Sequence, residues 1–464
     1  MKKRDLEKTG IPRGEIMDTA LAAAIAASKA GISKREILSF CREAVKKPLG
    51  FKDDRIFGTL ARRLAKVDEV KSRESRMTMA PYRIWGSDID KEAIAQLERA
   101  CSLPVAVRGA LMPDAHVGYG LPIGGVLAAR GAVIPYAVGV DIACRMKMTV
   151  LDLPPSLLQS DLERFKDAIN SGTLFGVGAA YRKKRMHPVM DLDWSVSPVI
   201  AGNKDLAWGQ LGTSGSGNHF VEFGTLTIEK SGTGLLPGTY LALLSHSGSR
   251  GIGNRVASHY SKIAMQKHRE LPHEFQHLAW LDMRSHEGQE YWAAMELMGR
   301  YAAANHELIH KQVAAYLNAA VLLDLENHHN FAWKEQHDGE EVIVHRKGAT
   351  PAGKGVRGII PGSMGTPGFI VQGRGSEASL ESAAHGAGRC MSRTAAKKEF
   401  TWNDAWPLLD AAGVSIISAG LDEVPMVYKD IFEVMSAQAD LVEVLARFDP
   451  KIVKMAEGRE RAED

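Results

Sequence analysis

The character of the sequence changes near residue 77, and this change limits the folds that the chain can adopt. Before that point, Ala-rich and apolar-periodic segments predict helices, and Ser33 with Glu36 forms a capping box that marks the start of one of them. After it, glycines are frequent and apolar runs are short, which is typical of strands and loops. The longest helical pattern covers 288–325. We therefore predict an α+β protein, with a helical N-terminal extension over 1–76 and a larger mixed α/β domain over 77–464.

The composition excludes several classes of protein. Hydrophobic residues make up 45% and charged residues 24% of the 464 residues, as in ordinary globular domains. The net charge of +3 is too small to indicate nucleic-acid or membrane binding by itself. No uncharged apolar run is long enough to span a membrane, and the N-terminus lacks the apolar core of a signal peptide. The four scattered cysteines do not suit a disulfide framework, so we expect a reduced, cytoplasmic protein with no membrane partner.

Five residues offer the side chains that transition metals prefer. Asp141 and Cys144 place a carboxylate and a thiolate three residues apart, where apolar residues predict the end of a strand. Histidines follow in three short segments rich in glycine or asparagine, at His219, His246 and His329. A transition-metal site needs about three or four such ligands for each ion, and a thiolate can bridge two ions. Taken alone, Cys144 is more often a buried, inert cysteine.

The remaining histidines and the basic loops allow more than one interpretation. His385 opens the sequence HGAGRCMSR, and residues 346–349 and 361–365 read RKGA and PGSMG. Backbone N–H groups and guanidinium groups in such loops can hold phosphate oxygens, but plain solvated loops have the same composition. No Walker motif is present, so a nucleotide would have to bind through another fold. His306 and His310 lie in the long helical pattern, where a packing or surface role is expected.

Nine sequence motifs together resemble the RtcB family of RNA-splicing ligases from about Pro81 to Val444. In chain order they are MPDAHVGYG, VGVDIAC, GSGNHFVE, HSGSRGIG, NHHN, HRKGATPAGKG, IIPGSMG, HGAGRCMSR and VPMVYKD. The resemblance implies an RtcB-like catalytic domain over 77–464 that uses GTP and two Mn²⁺ ions per active site. Such an enzyme joins RNA ends with a 3′-phosphate or 2′,3′-cyclic phosphate to RNA ends with a 5′-hydroxyl, in tRNA splicing or RNA repair.

The resemblance also implies roles for individual residues. His385 would be the catalytic nucleophile that takes up GMP. The metal ligands would be Asp141, Cys144, His219, His246 and His329, with Cys144 bridging. The GTP contacts would be Asn218, Glu222, Asn330, Ser363, Gly386, Ala387, Gly388, Tyr428 and Lys454. The contacts to RNA phosphate would be Arg250, Arg393, Asp114 and Lys347, and an archease-type activator is a further expected partner.

Four features depart from the family's pattern and leave alternatives open. Arg145 follows the metal cysteine, Ala384 precedes His385 where serine is common, and Lys454 only approximates a C-terminal lysine. The N-terminal extension has no counterpart in compact members, and it could contact RNA, dock a partner or only stabilise the protein. One alternative function is a metal-dependent cyclic phosphodiesterase or phosphohydrolase that acts on RNA ends without ligation. Another is an RNA-end-binding paralogue without activity.

Overall fold

The structure, a computed structural model, describes residues 3–11, 15–65, 79–230 and 232–458. The chain divides into two compact units, Met1–Thr78 and Met79–Asp464. Helices and strands both occur, which confirms the predicted α+β class. The predicted boundary between 76 and 77 lies outside the described residues and stays a prediction.

The helices and strands are numbered in chain order. The helices are α1 Lys3–Glu7, α2 Glu15–Lys29, α3 Lys34–Lys46, α4 58–65, α5 Lys91–Cys101, α6 Pro135–Val138, α7 Leu157–Ser160, α8 Leu162–Gly172, α9 Pro198–Ala201, α10 Lys204–Gln210, α11 Arg250–Lys267, α12 His286–Leu317, α13 Arg393–Glu399, α14 Trp402–Ala412 and α15 Ile431–Ala437. The strands are β1 Tyr82–Ile84, β2 Ala106–His116, β3 Ile123–Ala129, β4 Ala132–Val133, β5 Arg145–Leu151, β6 Phe220–Ile228, β7 Gly238–Ser247, β8 Leu281–Asp282, β9 Val321–His328, β10 Asn330–His337, β11 Glu340–Lys347, β12 Ala349–Pro351, β13 Arg357–Ile360, β14 Gly368–Gly373, β15 Ser382–Ala384, β16 Ser415–Ser418 and β17 Val442–Met455. Among the described helices, none has the length and apolar character to cross a membrane.

The first unit is helical and has its own apolar core. The predicted capping box is confirmed at the start of α3, where Ser33 and Glu36 each bond to the other's backbone N–H. This cap begins a helix that places Ile37 and Cys41 in the core. The helices thus cover a small core by themselves.

An eight-stranded sheet forms the centre of the second unit. Its order is β13-β14-β17-β6-β7-β5-β9, with β16 paired to β17. The pairs are antiparallel except β16 with β17. In the register, Phe220 and Met146 lie on either side of His246, and Arg145 lies opposite His328. The first residues of β6 and β5 and the last residues of β7 and β9 therefore lie together, at the same end of their strands.

A second, five-stranded sheet has the order β1-β2-β3-β11-β10, and β12 pairs with β15 beside it. Asp114 lies on β2, and His385 follows β15 directly. β12 and β15 pair antiparallel, with Ala349 opposite Ala384. This pairing fixes the position of His385, the next residue after β15.

Two predictions of local structure are wrong. The apolar residues before Asp141 do not end a strand: they form the short helix α6, which begins with Pro135 at its first position. Cys144 instead precedes β5. The long helix ends at Leu317, because Asn318 adopts a left-handed conformation (φ 51°) that caps it, and 321–328 forms β9.

Candidate functional site

The predicted metal ligands lie at the sheet edge where four strand ends meet. They precede β5 and β6, lie near the end of β7, and follow β9: Cys144, His219, His246 and His329. The Sγ atom of Cys144 lies 3.3 Å from His219 Nε2 and 3.0 Å from His246 Nε2. His246 Nε2 lies 3.1 Å from His329 Nε2, and His219 Nε2 lies 3.0 Å from Asp141 Oδ2. The result is two overlapping groups of ligand atoms that share the Cys144 sulfur.

The first group, Cys144 with His246 and His329, has the chemistry of a transition-metal site. His246 donates its Nδ1 proton to the backbone oxygen of Asn218 at 3.0 Å, so its Nε2 presents a lone pair to the cluster. Burial lowers the pKa of His246 to about 3 and that of His329 well below its ordinary value, so both rings are neutral near pH 7. The buried Nδ1 of His329 has no hydrogen-bond partner among the described residues. Neutral imidazoles and a thiolate in contact fit a soft or borderline metal ion.

The second group, Asp141 with Cys144 and His219, adds a hard ligand. Burial acts to raise the pKa of Asp141, but the hydrogen bond and charge of His219 outweigh burial and lower that pKa to about 2. Asp141 is therefore a carboxylate at neutral pH. Arg250 Nη1 lies 3.1 Å from His219 Nδ1, which places a guanidinium group beside this half of the cluster. This donor set fits the harder ion of a pair.

His385 lies next to the first group and is held by Asp114. The centroids of the His385 and His329 rings are 4.9 Å apart. Asp114 Oδ2 accepts hydrogen bonds from the backbone N–H of His385 at 3.1 Å and from its ring Nδ1 at 2.6 Å. Gly388 has a φ of +73°, and a Cβ there would lie 2.1 Å from the backbone oxygen of Asp114. Because Nδ1 is the donor to Asp114, the lone pair of the His385 ring is on Nε2.

A cavity of about 1180 Å³ opens over the cluster and His385. The residues predicted to contact GTP or RNA phosphate that line it are Asn218, Glu222, Asn330, Ser363, Gly386, Ala387, Gly388, Tyr428, Arg250, Arg393 and Lys347. Burial raises the pKa of Glu222 well above its ordinary value and lowers that of Lys347 to about 7. The cavity has the size of a small-molecule site, with cations and backbone N–H groups in its walls.

Two of the predicted contacts, Asn330 and Asp114, hold neighbouring protein groups in place. The Asn330 side chain donates to the backbone oxygen of Asp141 at 3.2 Å and accepts from the N–H of Gly348 at 2.8 Å, so it fixes the loop that carries a predicted metal ligand. Asp114 is fully buried against His385. Asp114 therefore positions His385, and its predicted contact with RNA stays a prediction.

Lys454 is the predicted GTP contact that the structure does not bring to the cavity. It lies on β17 between Val453 and Met455, which do line the cavity, and side chains alternate between the faces of a strand. Its Nζ donates to Asn170 Oδ1 at 2.6 Å. The pairing of β17 with β6 is irregular between Pro450 and Ile452, and such an irregularity decides which face the following residues occupy.

Two adjacent buried acids, of which Glu423 lines the cavity, are absent from the residues predicted from the sequence. Asp422 and Glu423 both accept from Arg393, Asp422 at 3.2 Å, and Glu423 also accepts from the hydroxyl of Tyr428. The signal was present: adjacent acids between apolar residues in LDEV are expected to be buried and to need a cation. Arg393 therefore reaches the cavity as part of an ion-pair network.

The two departures beside the site have simple structural explanations. Arg145 turns away from the ligands: its Nη1 pairs with Glu326 at 3.0 Å, and its Nη2 donates to the backbone oxygen of Gly299 at 3.1 Å. The backbone N–H of Ala384 donates to Gln438 Oε1 at 2.8 Å, and its methyl group is buried. Neither residue places a group of its own at the metal ligands.

Comparison with known proteins identifies the family of the chain. Residues 96–207 and 195–455 match the family model described as tRNA-splicing ligase RtcB. The RNA-splicing ligase RtcB of Escherichia coli K12 is 35% identical over 399 residues, which cover 79% of this chain and 95% of the relative. The tRNA-splicing ligases RtcB of Nanoarchaeum equitans and Thermococcus kodakarensis are 31% and 30% identical, and each alignment covers 82% of this chain and 96% of the relative.

Proposed function

The chain belongs to the RtcB family of RNA ligases, and from this premise we propose that it joins RNA ends through a guanylylated His385. The proposed substrates are GTP, an RNA end with a 3′-phosphate or 2′,3′-cyclic phosphate, and an RNA end with a 5′-hydroxyl. The observation that carries the proposal is the bond from His385 Nδ1 to Asp114, because it leaves an oriented ring nitrogen beside a cluster of metal ligands.

The first proposed step is attack on GTP by His385. The lone pair of Nε2 forms a bond to the α-phosphorus as the bond to pyrophosphate breaks, and pyrophosphate leaves with the electron pair. The ring becomes positively charged while it keeps its Nδ1 proton. Asp114 lies 2.6 Å from that nitrogen and stabilises the charge, as a buried carboxylate does for an imidazolium ion.

Two Mn²⁺ ions are the proposed metals, held by the five predicted ligands with Cys144 bridging. When bound, they would neutralise the triphosphate and polarise the phosphorus under attack. The buried thiol shared by two groups of ligand atoms supports this assignment. A thiolate with imidazoles also binds Zn²⁺ or Co²⁺, so the identity of the metal is part of the proposal.

The next two steps transfer GMP and join the RNA. An oxygen of the RNA 3′-phosphate attacks the phosphorus on His385, and the ring leaves with the electron pair. The RNA 5′-hydroxyl oxygen then attacks the 3′-phosphorus, its proton passes to water, and GMP leaves with the electron pair. A cyclic phosphate would first be opened by water. Arg250, Arg393 and Lys347 are the cations proposed to hold the RNA phosphate.

The proposed guanylate contacts are the lining groups near His385. They are Asn218, Glu222, Ser363, Tyr428 and the backbone of 386–388. A cytoplasmic setting fits the need of Cys144 to remain reduced. An archease-type activator and a role in tRNA splicing or RNA repair stay predictions from the resemblance.

The decisive test is covalent labelling with α-³²P GTP and Mn²⁺. We expect acid-labile label on the wild type and on His259→Ala, a change at an exposed histidine, and none on His385→Ala. End-defined RNAs should be joined only when GTP is present. Label that survives in His385→Ala would contradict the proposal. Opening of a cyclic phosphate without GTP and without a joined product would favour the phosphodiesterase instead.

A further inference from the structure

Residues 174–186, here the 174–186 segment, form an apolar and cationic surface beside the cavity. The side chains of Leu174, Val177 and Met186 are 37%, 47% and 74% exposed, although all three are large and apolar. Arg182 and Lys183 are exposed between them. Val177 also lines the cavity, so the surface is continuous with the site. Exposed apolar groups that bases can pack on, together with cations for phosphates, are typical of surfaces that bind single-stranded nucleic acid.

The inner side of the segment is anchored to the body of the unit. The guanidinium of Arg185 lies 4.0 Å above the ring of Tyr181 and donates to the backbone oxygen of Gly172 at 3.0 Å. The backbone N–H of Tyr181 donates to the oxygen of Gly209 at 2.7 Å. These bonds fix the conformation of the segment.

The cations of the segment divide into two pairs. Lys184 forms an ion pair with Asp205, and Arg185 is used in the anchor just described. Arg182 and Lys183 point to solvent and have no ion pair among the described residues. Their charges are therefore available to a polyanion, while those of their neighbours hold the segment in place.

The segment lies at one particular end of the metal-ligand cluster. Phe175 forms a β-bridge with Gly215, and the N–H of Gly176 donates to the oxygen of Gly215 at 2.8 Å. Gly215 in turn lies against Arg250, since a Cβ there would be 1.6 Å from the guanidinium nitrogen Nη2. Arg250 contacts His219. The segment is thus connected to the Asp141–His219 half of the cluster, whereas His385 lies at the His329 half.

In-line geometry assigns the two halves to different substrates. Attacking and leaving oxygens lie on opposite sides of the phosphorus in phosphoryl transfer. In the proposed joining step the leaving group is GMP, which is delivered at the His385 end. The attacking 5′-hydroxyl must then arrive from the end marked by His219 and Arg250. We infer that the 174–186 segment holds the RNA strand that carries the 5′-hydroxyl, an inference that rests on the proposed function.

The test compares the full-length Arg182→Glu/Lys183→Glu variant with the wild type in three measurements. Labelling of His385 by GTP should be unchanged, because it takes place at the other end of the cluster. The KM for a single-stranded 5′-hydroxyl RNA should rise about tenfold or more at 0.1 M salt, with kcat unchanged, since two phosphate contacts are replaced by repulsion. The KM for the 3′-phosphate strand should stay the same. A 5′-hydroxyl dinucleotide, which has a single internucleotide phosphate, should show a smaller change.

A matched control and a second variant keep the inference falsifiable. Lys262→Glu/Lys311→Glu changes the net charge equally at exposed positions on α11 and α12 and should leave every KM unaltered. Met186→Ser removes apolar surface without a change of charge and should raise the same KM alone. An unchanged KM for the 5′-hydroxyl strand, or an equal rise for both strands, would overturn the inference.

Failure of the proposed function gives a different result. In that case the wild type itself would show neither label nor joined RNA. Fluorescence anisotropy with a labelled 5′-hydroxyl RNA then tests the segment directly. Equal affinity of the wild type and of Arg182→Glu/Lys183→Glu in that measurement would overturn the inference by itself.

Discussion

Two groups of buried histidines lie on or beside β7, and they differ in the atoms that their ring nitrogens contact. In the metal-ligand cluster, His246 Nε2 faces His329 Nε2 at 3.1 Å, and neither atom contacts a hydroxyl or backbone carbonyl of the described residues. On the long helix α12, His306 Nδ1 and His310 Nε2 each lie 2.7 Å from the hydroxyl of Ser245. Burial lowers the pKa of all four rings, so burial does not distinguish the groups.

The difference is in the partners. The other nitrogens of the helix pair are also satisfied, His310 Nδ1 by Thr149 Oγ1 at 2.7 Å and His306 Nε2 by the backbone oxygen of Ser247 at 3.0 Å. A closed set of hydrogen bonds has no room for a ligand and stabilises the core. Ring nitrogens that face each other and a thiol are satisfied by a shared cation. The comparison predicts opposite consequences for substitutions in the two groups.

The largest effect is expected for Cys144→Ser, which removes the ligand atom common to both halves. Loss of the bridging thiolate should reduce bound Mn²⁺ and lower the ligation rate by about a thousandfold, a few kcal/mol of transition-state stabilisation. The thiolate-to-cobalt absorption band of the Co²⁺-loaded protein should disappear as well. Cys390→Ser, a change at an exposed cysteine, should keep the band. A band that persists in Cys144→Ser would show that the comparison is wrong.

A substitution of one of the two histidines on α12 should lower the stability of the protein and leave metal binding unchanged. His310→Ala removes one hydrogen bond from each of the hydroxyls of Thr149 and Ser245 and leaves a cavity in the core, so we expect the free energy of unfolding to fall by about 2–4 kcal/mol. Metal content should remain that of the wild type. Urea unfolding and metal analysis on the same preparation check both points. Loss of metal at unchanged stability would mean that His310 acts on the cluster, contrary to its closed set of hydrogen bonds.

The smallest effect is expected for Arg145→Met, next to the shared cysteine in sequence. The guanidinium points to Glu326 and Gly299, and the Glu326 side chain is 42% exposed, so water can solvate the carboxylate that is left behind. The free energy of unfolding should change by less than about 2 kcal/mol, and metal content should not change. Calorimetry and metal titration measure the two quantities. Weakened metal binding would show that the charge of Arg145 reaches the ligands.

The sequence predicts this site unevenly, and the reason is the distance along the chain over which each contact forms. Asp141 and Cys144 can be predicted from the sequence because a carboxylate and a thiol lie only three residues apart. The contact of Asp114 with His385 spans 271 residues and cannot be found by any local pattern. The position of Lys454 is hard to predict for a related reason, because an irregularity in strand pairing decides which face of β17 it occupies. The α+β class, which depends on many local patterns at once, is predicted correctly.

The position of β17 in the central sheet affects when the enzyme becomes complete during its synthesis. Although β17 is the last described strand in chain order, it lies inside the sheet between β14 and β6, and Val453 and Met455 on it line the cavity. All metal ligands and His385 are translated earlier. Without 442–455 no strand joins β14 to β6, so we expect the cavity to close only after this stretch has left the ribosomal exit tunnel. We therefore expect binding of RNA ends to require this last described strand.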